Sequence, residues 1–241
     1  MKKLFAILMS VLMIACFMPT MAFADGEDTK TYVAQVGETQ YETLQAAIEA
    51  ATAEETTTVE LLAKTAEDIT IPAGKKVILN LNGKTLTNSS SDTITVANGA
   101  ELTIEGAGTV DNVKHGKAAI FNNGTVVLNG GTYDRSQEIG TSASESGENS
   151  YYTIVNHGTM TINEAAKVQT AGGDTKKGKY SSLVENGYYD YNKSKDSRSG
   201  YVPETNQAEP TLTINGGTFL GGLNTIKNDD GAKVVIHNGN F

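Results

Sequence analysis

A short phrase recurs along this chain at a near-constant spacing, and it constrains the fold more than any other feature. Each copy holds an apolar strand, an Asn-Gly-like turn, a second strand and a Gly-containing turn, most clearly from Ile94 to Val110 and from Ile120 to Tyr133. The copies align on Gly74, Gly99, Gly124, Gly158 and Gly231, with Pro210 replacing glycine in one further copy. The first two intervals are both 25 residues. A period of this length is typical of solenoids.

The triplet that follows each turn glycine is apolar at its two outer positions. The six triplets are Val77-Ile78-Leu79, Leu102-Thr103-Ile104, Val126-Val127-Leu128, Met160-Thr161-Ile162, Leu212-Thr213-Ile214 and Val234-Val235-Ile236. Successive side chains of a strand point to opposite faces, so the outer members share one face, which we expect to be interior.

Two more inward strands are expected in each rung, meaning one turn of the coil. Three residues before the turn glycine stand Ile71, Val96, Phe121 and Val155, and the rungs close with Leu86, Val110, Tyr133, Val168, Phe219 or Phe241. Parallel stacking would place equal positions about 4.8 Å apart. The sequence therefore predicts an all-β, single-stranded solenoid, a parallel β-helix of about six rungs. Asn98, Asn123 and Asn156 are expected to form a hydrogen-bonded ladder along its axis.

The first 24 residues have the features of a secretory signal. Lys2-Lys3 precedes an apolar stretch from Leu4 to Met18, and Ala22-Phe23-Ala24 matches a signal-peptidase site. A membrane anchor is disfavoured because this stretch is shorter than the roughly 20 residues that a span needs. Lipid attachment at Cys16 is a minor alternative. We expect the domain to comprise residues 25–241 and to be extracellular, either secreted or associated with the cell wall.

Charge and cysteine content restrict the partners of the exported domain. Removal of Lys2 and Lys3 changes the net charge from −9 to −11, and only Arg135 and Arg198 supply guanidinium groups. Nucleic acid is therefore not expected as a partner. The only cysteine lies in the signal, so disulfides cannot stabilise the exported domain.

Residues 31–56 are expected to cap the first rung, and the rungs are expected to occupy 57–241. Tyr32 to Val36 reads as a strand, and a helix follows whose apolar residues fall on one face. These residues are Leu44, Ala47, Ile48 and Ala51. Thr39 with Glu42 matches a capping box, and Thr43 is an equally good N-cap.

The other end of the solenoid has no matching cap in the sequence. Phe241 closes the sixth rung, and an uncapped parallel stack exposes unpaired backbone groups. This pattern favours a fragment of a longer product. The alternative is that another chain associates with the open end.

Two segments, about 134–150 and 171–209, interrupt the spacing and are predicted to be insertions. The second holds five tyrosines, whose rings suit sugar stacking or protein contacts. These candidate binding residues are Tyr180, Tyr188, Tyr189, Tyr191 and Tyr201. The structural alternative is that they only pin a long loop to the solenoid.

Few residues suggest catalysis or metal binding. The candidate carboxylates are Asp111, Asp134 beside Arg135, and Asp229-Asp230, and each falls at a turn or loop start, where Asp is common for backbone reasons. No catalytic residue and no cofactor is therefore assigned. The pair Asp229-Asp230 leaves Ca²⁺ binding open. His115, His157 and His237 are isolated in the sequence, so a zinc site is not expected.

Four segments carry a resemblance to a known group of proteins. They are Tyr32-Val-Ala-Gln-Val-Gly, Tyr41-Glu-Thr-Leu-Gln-Ala-Ala-Ile-Glu-Ala-Ala, Ile69-Thr-Ile-Pro-Ala-Gly-Lys-Lys-Val and Leu81-Asn-Gly-Lys-Thr-Leu. The chain resembles repetitive surface proteins of gut-type Gram-positive bacteria, and the resemblance implies the right-handed β-helix of the pectate lyase superfamily. No segment matches the superfamily's catalytic Ca²⁺ or aspartate clusters.

These observations favour a binding or adhesion module without catalysis. A polysaccharide or a host or cell-surface protein is the expected partner, and no membrane span is expected beyond the signal. The alternative is a polysaccharide lyase or glycoside hydrolase acting on plant or host glycans.

Overall fold

The computed structural model describes residues 30–138, 151–174, 181–187, 209–229 and 231–241. These residues form three sheets, and successive strands of the chain pass from the first to the second to the third before the cycle repeats. Equivalent strands of successive rungs pair in parallel. The fold is an all-β parallel β-helix, as the sequence predicts.

Each sheet collects one strand from every rung. Sheet A contains β1 (Ala34–Val36), β2 (Thr39–Tyr41), β3 (Thr57–Leu61), β6 (Lys76–Asn80), β9 (Glu101–Glu105), β12 (Thr125–Leu128), β15 (Thr159–Ile162), β18 (Thr211–Ile214) and β21 (Lys233–Ile236). Sheet B contains β4 (Thr65–Ala66), β7 (Thr85–Thr87), β10 (Thr109–Asp111), β13 (Thr132–Asp134), β16 (Lys167–Gln169) and β19 (Thr218–Leu220). Sheet C contains β5 (Ile69–Ile71), β8 (Ile94–Val96), β11 (Ile120–Asn122), β14 (Tyr151–Asn156), β17 (Ser181–Asn186) and β20 (Ile226–Asn228).

The predicted columns of sheet A are confirmed. Val77 pairs with Leu102, and the same register continues through the remaining triplets to β21. The apolar outer members are buried from β6 to β18, whereas the last rung is more open and Ile236 is half exposed. Strand β3 adds one rung that the glycine alignment misses, because no turn glycine precedes it.

The predicted inward residues of sheet C are only partly correct. Ile71 and Val96 are buried, but Phe121 and Val155 point outward, and Asn122 and Asn156 take the inward positions. The turns after Asn122 and Asn156 are two residues shorter than the turn from Val96 to Leu102, so the glycines of the two turn types are not equivalent. Counting back from Gly124 or Gly158 therefore reaches the wrong face.

Close stacking explains why glycine occupies the short turns. A Cβ added at Gly124 would lie 2.4 Å from the Ala100 carbonyl oxygen, and one at Gly158 would lie 2.1 Å from the Gly124 carbonyl oxygen. Neither distance is sterically possible. These two positions therefore require glycine, because the preceding rung lies too close to leave space for a side chain.

A ladder of four asparagines, of which the first three are buried, runs along the axis, but it differs from the predicted one. Asn122 donates to Asn156, Asn156 to Asn186 and Asn186 to Asn228, each from Nδ2 to Oδ1 at 2.7 Å. Of the predicted members, only Asn156 belongs to this ladder; Asn98 and Asn123 lie in the turns. Each buried amide thus satisfies the next one, as buried polar groups require.

We predict that Asn156→Ala lowers the free energy of unfolding by about 2–4 kcal/mol, because it leaves the Asn122 donor and the Asn186 acceptor buried without this partner. Chemical denaturation with circular dichroism measures this. The control is Asn123→Ala, one residue from the ladder, for which we expect a change of about 0.5 kcal/mol or less. Equal losses for the two variants would contradict the role of the ladder.

The N-terminal segment caps the first rung. Helix α1 (Leu44–Glu49) buries Leu44, Ala47 and Ile48, and its N-cap is Thr43, not Thr39. The side chain of Gln45 accepts from the Thr70 amide at 2.8 Å and donates to the Thr70 carbonyl at 3.1 Å. It therefore satisfies the exposed edge of β5. The edge of sheet A is covered by β1, which pairs antiparallel with both β2 and β3.

The predicted insertion at 171–209 is interrupted by a rung strand. Ser181–Asn186 forms β17 and pairs in parallel with β14 and β20. Its polar sequence hides the periodicity, since Ser181, Ser182, Glu185 and Asn186 are all buried. No helix in the described ranges is long and apolar enough to cross a membrane.

Candidate binding cleft

The five tyrosines chosen from the sequence, Tyr180, Tyr188, Tyr189, Tyr191 and Tyr201, lie outside the described residues. Residues 1–24, with the predicted signal, and 139–150 also lie outside them. Binding by these tyrosines stays a prediction.

The corner between sheets B and C is polar inside, unlike the apolar columns of sheet A. Its buried polar residues are Asn88, Thr93, Asp111, Asn112, Asp134, Arg135, Glu138, Thr153, Gln169, Thr170, Ser181 and Ser182. Within the described part of the chain, Arg135 Nε, Gln169 Oε1 and Thr170 Oγ1 are buried without a hydrogen-bond partner. Such atoms are costly, and a native protein that retains them often does so at a functional site.

Asp111 and Asp134 lie on adjacent rungs of this corner, and their contacts are structural. The Asp111 carboxylate accepts from the Ser136 amide at 2.9 Å and from the Ser136 hydroxyl at 2.5 Å. Asp134 accepts from Gln169 Nε2 at 2.6 Å and from the Gly172 amide at 3.3 Å. Burial, together with the charge of Asp111, raises the pKa of Asp134. These carboxylates bind the turn of the following rung, which supports the interpretation of the two aspartates as turn residues.

A cleft of about 90 Å³ opens at this corner. It is lined by Asn112, Val113, Lys114, His115, Arg135, Gln137 and Glu138. Buried Asn112 holds one wall, because its Oδ1 accepts from the Lys114 amide at 2.9 Å while its Nδ2 donates to the Ser91 and Ala118 carbonyls, both at 2.9 Å. These hydrogen bonds hold the backbone next to His115 in place.

The floor of the cleft is a buried ion pair. Arg135 is 1% exposed and donates through Nη2 to Glu138 and through Nη1 to Ser181 Oγ at 3.3 Å. Burial lowers the pKa of Arg135, and the charge of Glu138 opposes that change. His115 Nδ1 lies 3.4 Å from Glu138 Oε2, so the same carboxylate faces both bases.

An aromatic ring packs against two of the residues that line the cleft. The Tyr151 ring lies 4.2 Å from the His115 ring, measured between centroids, and the Arg135 guanidinium lies 5.2 Å from its centroid. Burial raises the pKa of Tyr151, and Glu138 adds to this effect. The cleft therefore combines an exposed imidazole, amide and ammonium groups with the exposed apolar side chain of Val113, so it can hydrogen-bond hydroxyl groups and pack against an apolar ring face.

A second cluster of ionisable groups lies on the outward side of sheet C. Lys227 Nζ lies 2.9 Å from Asp229 Oδ2 and 3.9 Å from Glu185 Oε1. Burial and a hydrogen bond to Asp229 raise the pKa of Glu185 to about 8, and burial lowers the pKa of His157 to about 4. Burial acts to lower the pKa of Lys227, but the hydrogen bonds and charges of Asp229 and Tyr152 together outweigh it, and the net change is upward.

No group of three or more His, Cys, Asp or Glu side chains that could hold a metal ion occurs among the described residues. Asp229 pairs with Lys227, and Asp230 lies outside the described ranges. His157 packs against the Phe121 ring at 5.0 Å between centroids.

Comparison with known proteins gives no match: no family model, curated protein or solved structure is significantly similar to this chain.

The sequence missed most of the cleft. Gln137 and Glu138 are polar residues at the start of a predicted insertion, and His115 is isolated in sequence from both. One indication of the cleft was present in the sequence: Arg135, beside Asp134, is one of only two arginines in this acidic chain. Glu185 was hidden in the same way, inside the second predicted insertion.

Proposed function

We propose that this chain is a secreted or cell-surface β-helix module that binds a carbohydrate or protein ligand and catalyses no reaction. The observation that carries this proposal is the polar cleft at the corner of sheets B and C, where His115 and Gln137 surround a buried ion pair. A rigid wall and a few convergent polar groups are the features of a preformed ligand site. The resemblance of the N-terminal segments to repetitive bacterial surface proteins also supports it.

The absence of catalysis is proposed from the contacts of the acidic groups. Asp111 and Asp134 are occupied by turn amides and by Gln169, and Glu138 is ion-paired with Arg135. A general base must reach a proton on its substrate. Asp111 and Asp134 do not line the cleft, and Glu138, which does, is held by Arg135.

Ligand binding by the cleft is tested with a double variant. A glycan array and a protein pull-down first identify a ligand, and its affinity is then measured by calorimetry. We expect His115→Ala with Gln137→Ala to weaken binding at least tenfold, which equals about 1.4 kcal/mol. The matched control is His237→Ala with Gln40→Ala, two exposed residues outside the cleft. Unchanged affinity in the cleft variant would exclude this site.

The alternative function is a carbohydrate-active enzyme, and the contact between His115 and Glu138 favours it. An imidazole oriented by a carboxylate is an arrangement that general-base catalysis uses. Release of reducing ends or unsaturated uronide products from glycans would establish the enzyme. Loss of that release in His115→Ala would assign it to the cleft.

A further inference from the structure

Three neighbouring strands of sheet A, β12, β15 and β18, present an uncharged grid of outward side chains. We call this grid the threonine-asparagine face; it comprises Thr125, Val127, Asn129, Thr159, Thr161, Asn163, Thr211, Thr213 and Asn215. None of the nine is buried. The strands pair without offset, so equivalent side chains repeat about every 4.8 Å from rung to rung.

Hydrogen bonds between rungs fix one column of this face. Asn163 Nδ2 donates to Asn129 Oδ1 at 2.7 Å, and Asn215 Nδ2 donates to Asn163 Oδ1 at 2.9 Å. An amide has two N–H donors and an oxygen with two lone pairs, so the ladder uses only one donor and one lone pair of Asn163. Because the side chains are already ordered, binding through them loses little conformational entropy.

The threonine columns add apolar methyl groups to the hydrogen-bonding groups of the face. Thr161 and Thr213 pair across β15 and β18, and Val127 continues the column on β12. The branched side chains offer a row of methyl groups with hydroxyls beside them. A ligand that fits must therefore present both C–H surface and hydroxyl groups at a regular spacing.

Ionisable side chains border the threonine-asparagine face on both sides. The strand before it, β9, carries Glu101 and Glu105, and the strand after it, β21, begins at Lys233 and is followed directly by His237. Within the face no cationic side chain can pair with a carboxylate or sulfate, and a charge that loses water without an ion-pair partner is unfavourable. The chemistry of the face thus matches a neutral ligand.

We propose that the threonine-asparagine face binds the surface of a packed neutral polysaccharide. Aligned sugar chains repeat hydroxyl groups and C–H ring faces, which are the two groups that the columns complement. This surface is separate from the cleft, which lies at the corner of sheets B and C. The two sites can therefore be tested independently.

The test is depletion of the purified chain from solution by microcrystalline cellulose and by chitin, with soluble polygalacturonate as the charged comparison. Wild type is retained by at least one of the two packed polysaccharides and is not bound by polygalacturonate. Thr161→Lys with Thr213→Lys reduces retention at least tenfold. Thr132→Lys is the matched control, because it lies in a sheet B column that already contains Lys167, and it leaves retention unchanged.

A second variant separates binding from folding. Thr161→Val with Thr213→Val keeps the shape and the β-propensity while removing two hydroxyls, so it stays folded by circular dichroism and is retained several-fold less. Absence of retention of wild type on both polysaccharides, or equal retention of all variants, overturns the proposal. Loss of retention only in the His115→Ala, Gln137→Ala variant assigns binding to the cleft and also overturns it. Shaping of ice crystals without retention on either polysaccharide would show that the face binds a different ligand, and it also overturns the proposal.

Discussion

Replacing Ile104 with Asp will cost at least about 4 kcal/mol of folding free energy, because it buries an unpaired carboxylate. Ile104 is 0% exposed and lies in a column between Leu79 and Leu128. Small domains have about 5–15 kcal/mol in total. We therefore expect a large fall in the midpoint of thermal unfolding, measured by circular dichroism.

The matched control is Ile78→Asp on the neighbouring strand. Ile78 is the middle member of its triplet and points outward, on the same side of the strand as the partly exposed Lys76. The same substitution there should cost about 1 kcal/mol or less. Similar losses at the two positions would mean that the assignment of inward and outward faces is wrong.

Replacing Glu185 with Gln will make the chain more stable at pH 8 to 9. Glu185 is 6% exposed, and its pKa is raised from 4.5 to about 8 by burial and by the hydrogen bond to Asp229. The folded state thus binds a proton that the unfolded state releases, and stability falls as the pH rises from 4.5 toward 8. The shift corresponds to roughly 4–5 kcal/mol at most. Gln stays neutral and keeps an N–H donor for Asp229.

His157 changes the pH dependence of stability in the opposite direction to Glu185. Burial lowers its pKa from 6.5 to about 4, so its contribution to stability is lost as the pH falls through that range. The two effects oppose each other between about pH 4.5 and 6.5, and above pH 6.5 His157 no longer offsets the fall due to Glu185. Urea denaturation at several pH values measures it. The control Glu38→Gln, at an exposed carboxylate, should leave the fall in place; a fall that persists in Glu185→Gln would contradict the buried proton.

The core of the solenoid could be predicted from the sequence because its signal is local and repeated. In the triplets of sheet A, two apolar residues separated by one outward residue define both the strand and its inward face. Parallel stacking then fixes the register, since a slip by one residue would expose every apolar side chain. The cap could also be predicted, because the helix around Leu44 and Ile48 has a clear apolar stripe.

The candidate site was harder to predict, because its buried residues are polar. Asn112 and Arg135 are buried through hydrogen bonds that reach other rungs, and a sequence pattern does not show which polar residues find such partners. The glycine alignment placed Phe121 on the inward face. Because the turn that follows is two residues shorter, Asn122 lies on that face and Phe121 points outward. The cleft brings His115 to Glu138 from the next rung, a contact set by stacking.

The proposal of binding without catalysis is tested most directly by one incubation with two readouts. The purified chain is mixed with pectins, other plant glycans, microcrystalline cellulose and chitin, and each sample is assayed for retained protein and for soluble products. We predict retention on at least one glycan, with no reducing ends and no unsaturated uronides above those of a buffer control. Products that accumulate with time and with protein concentration would contradict the account.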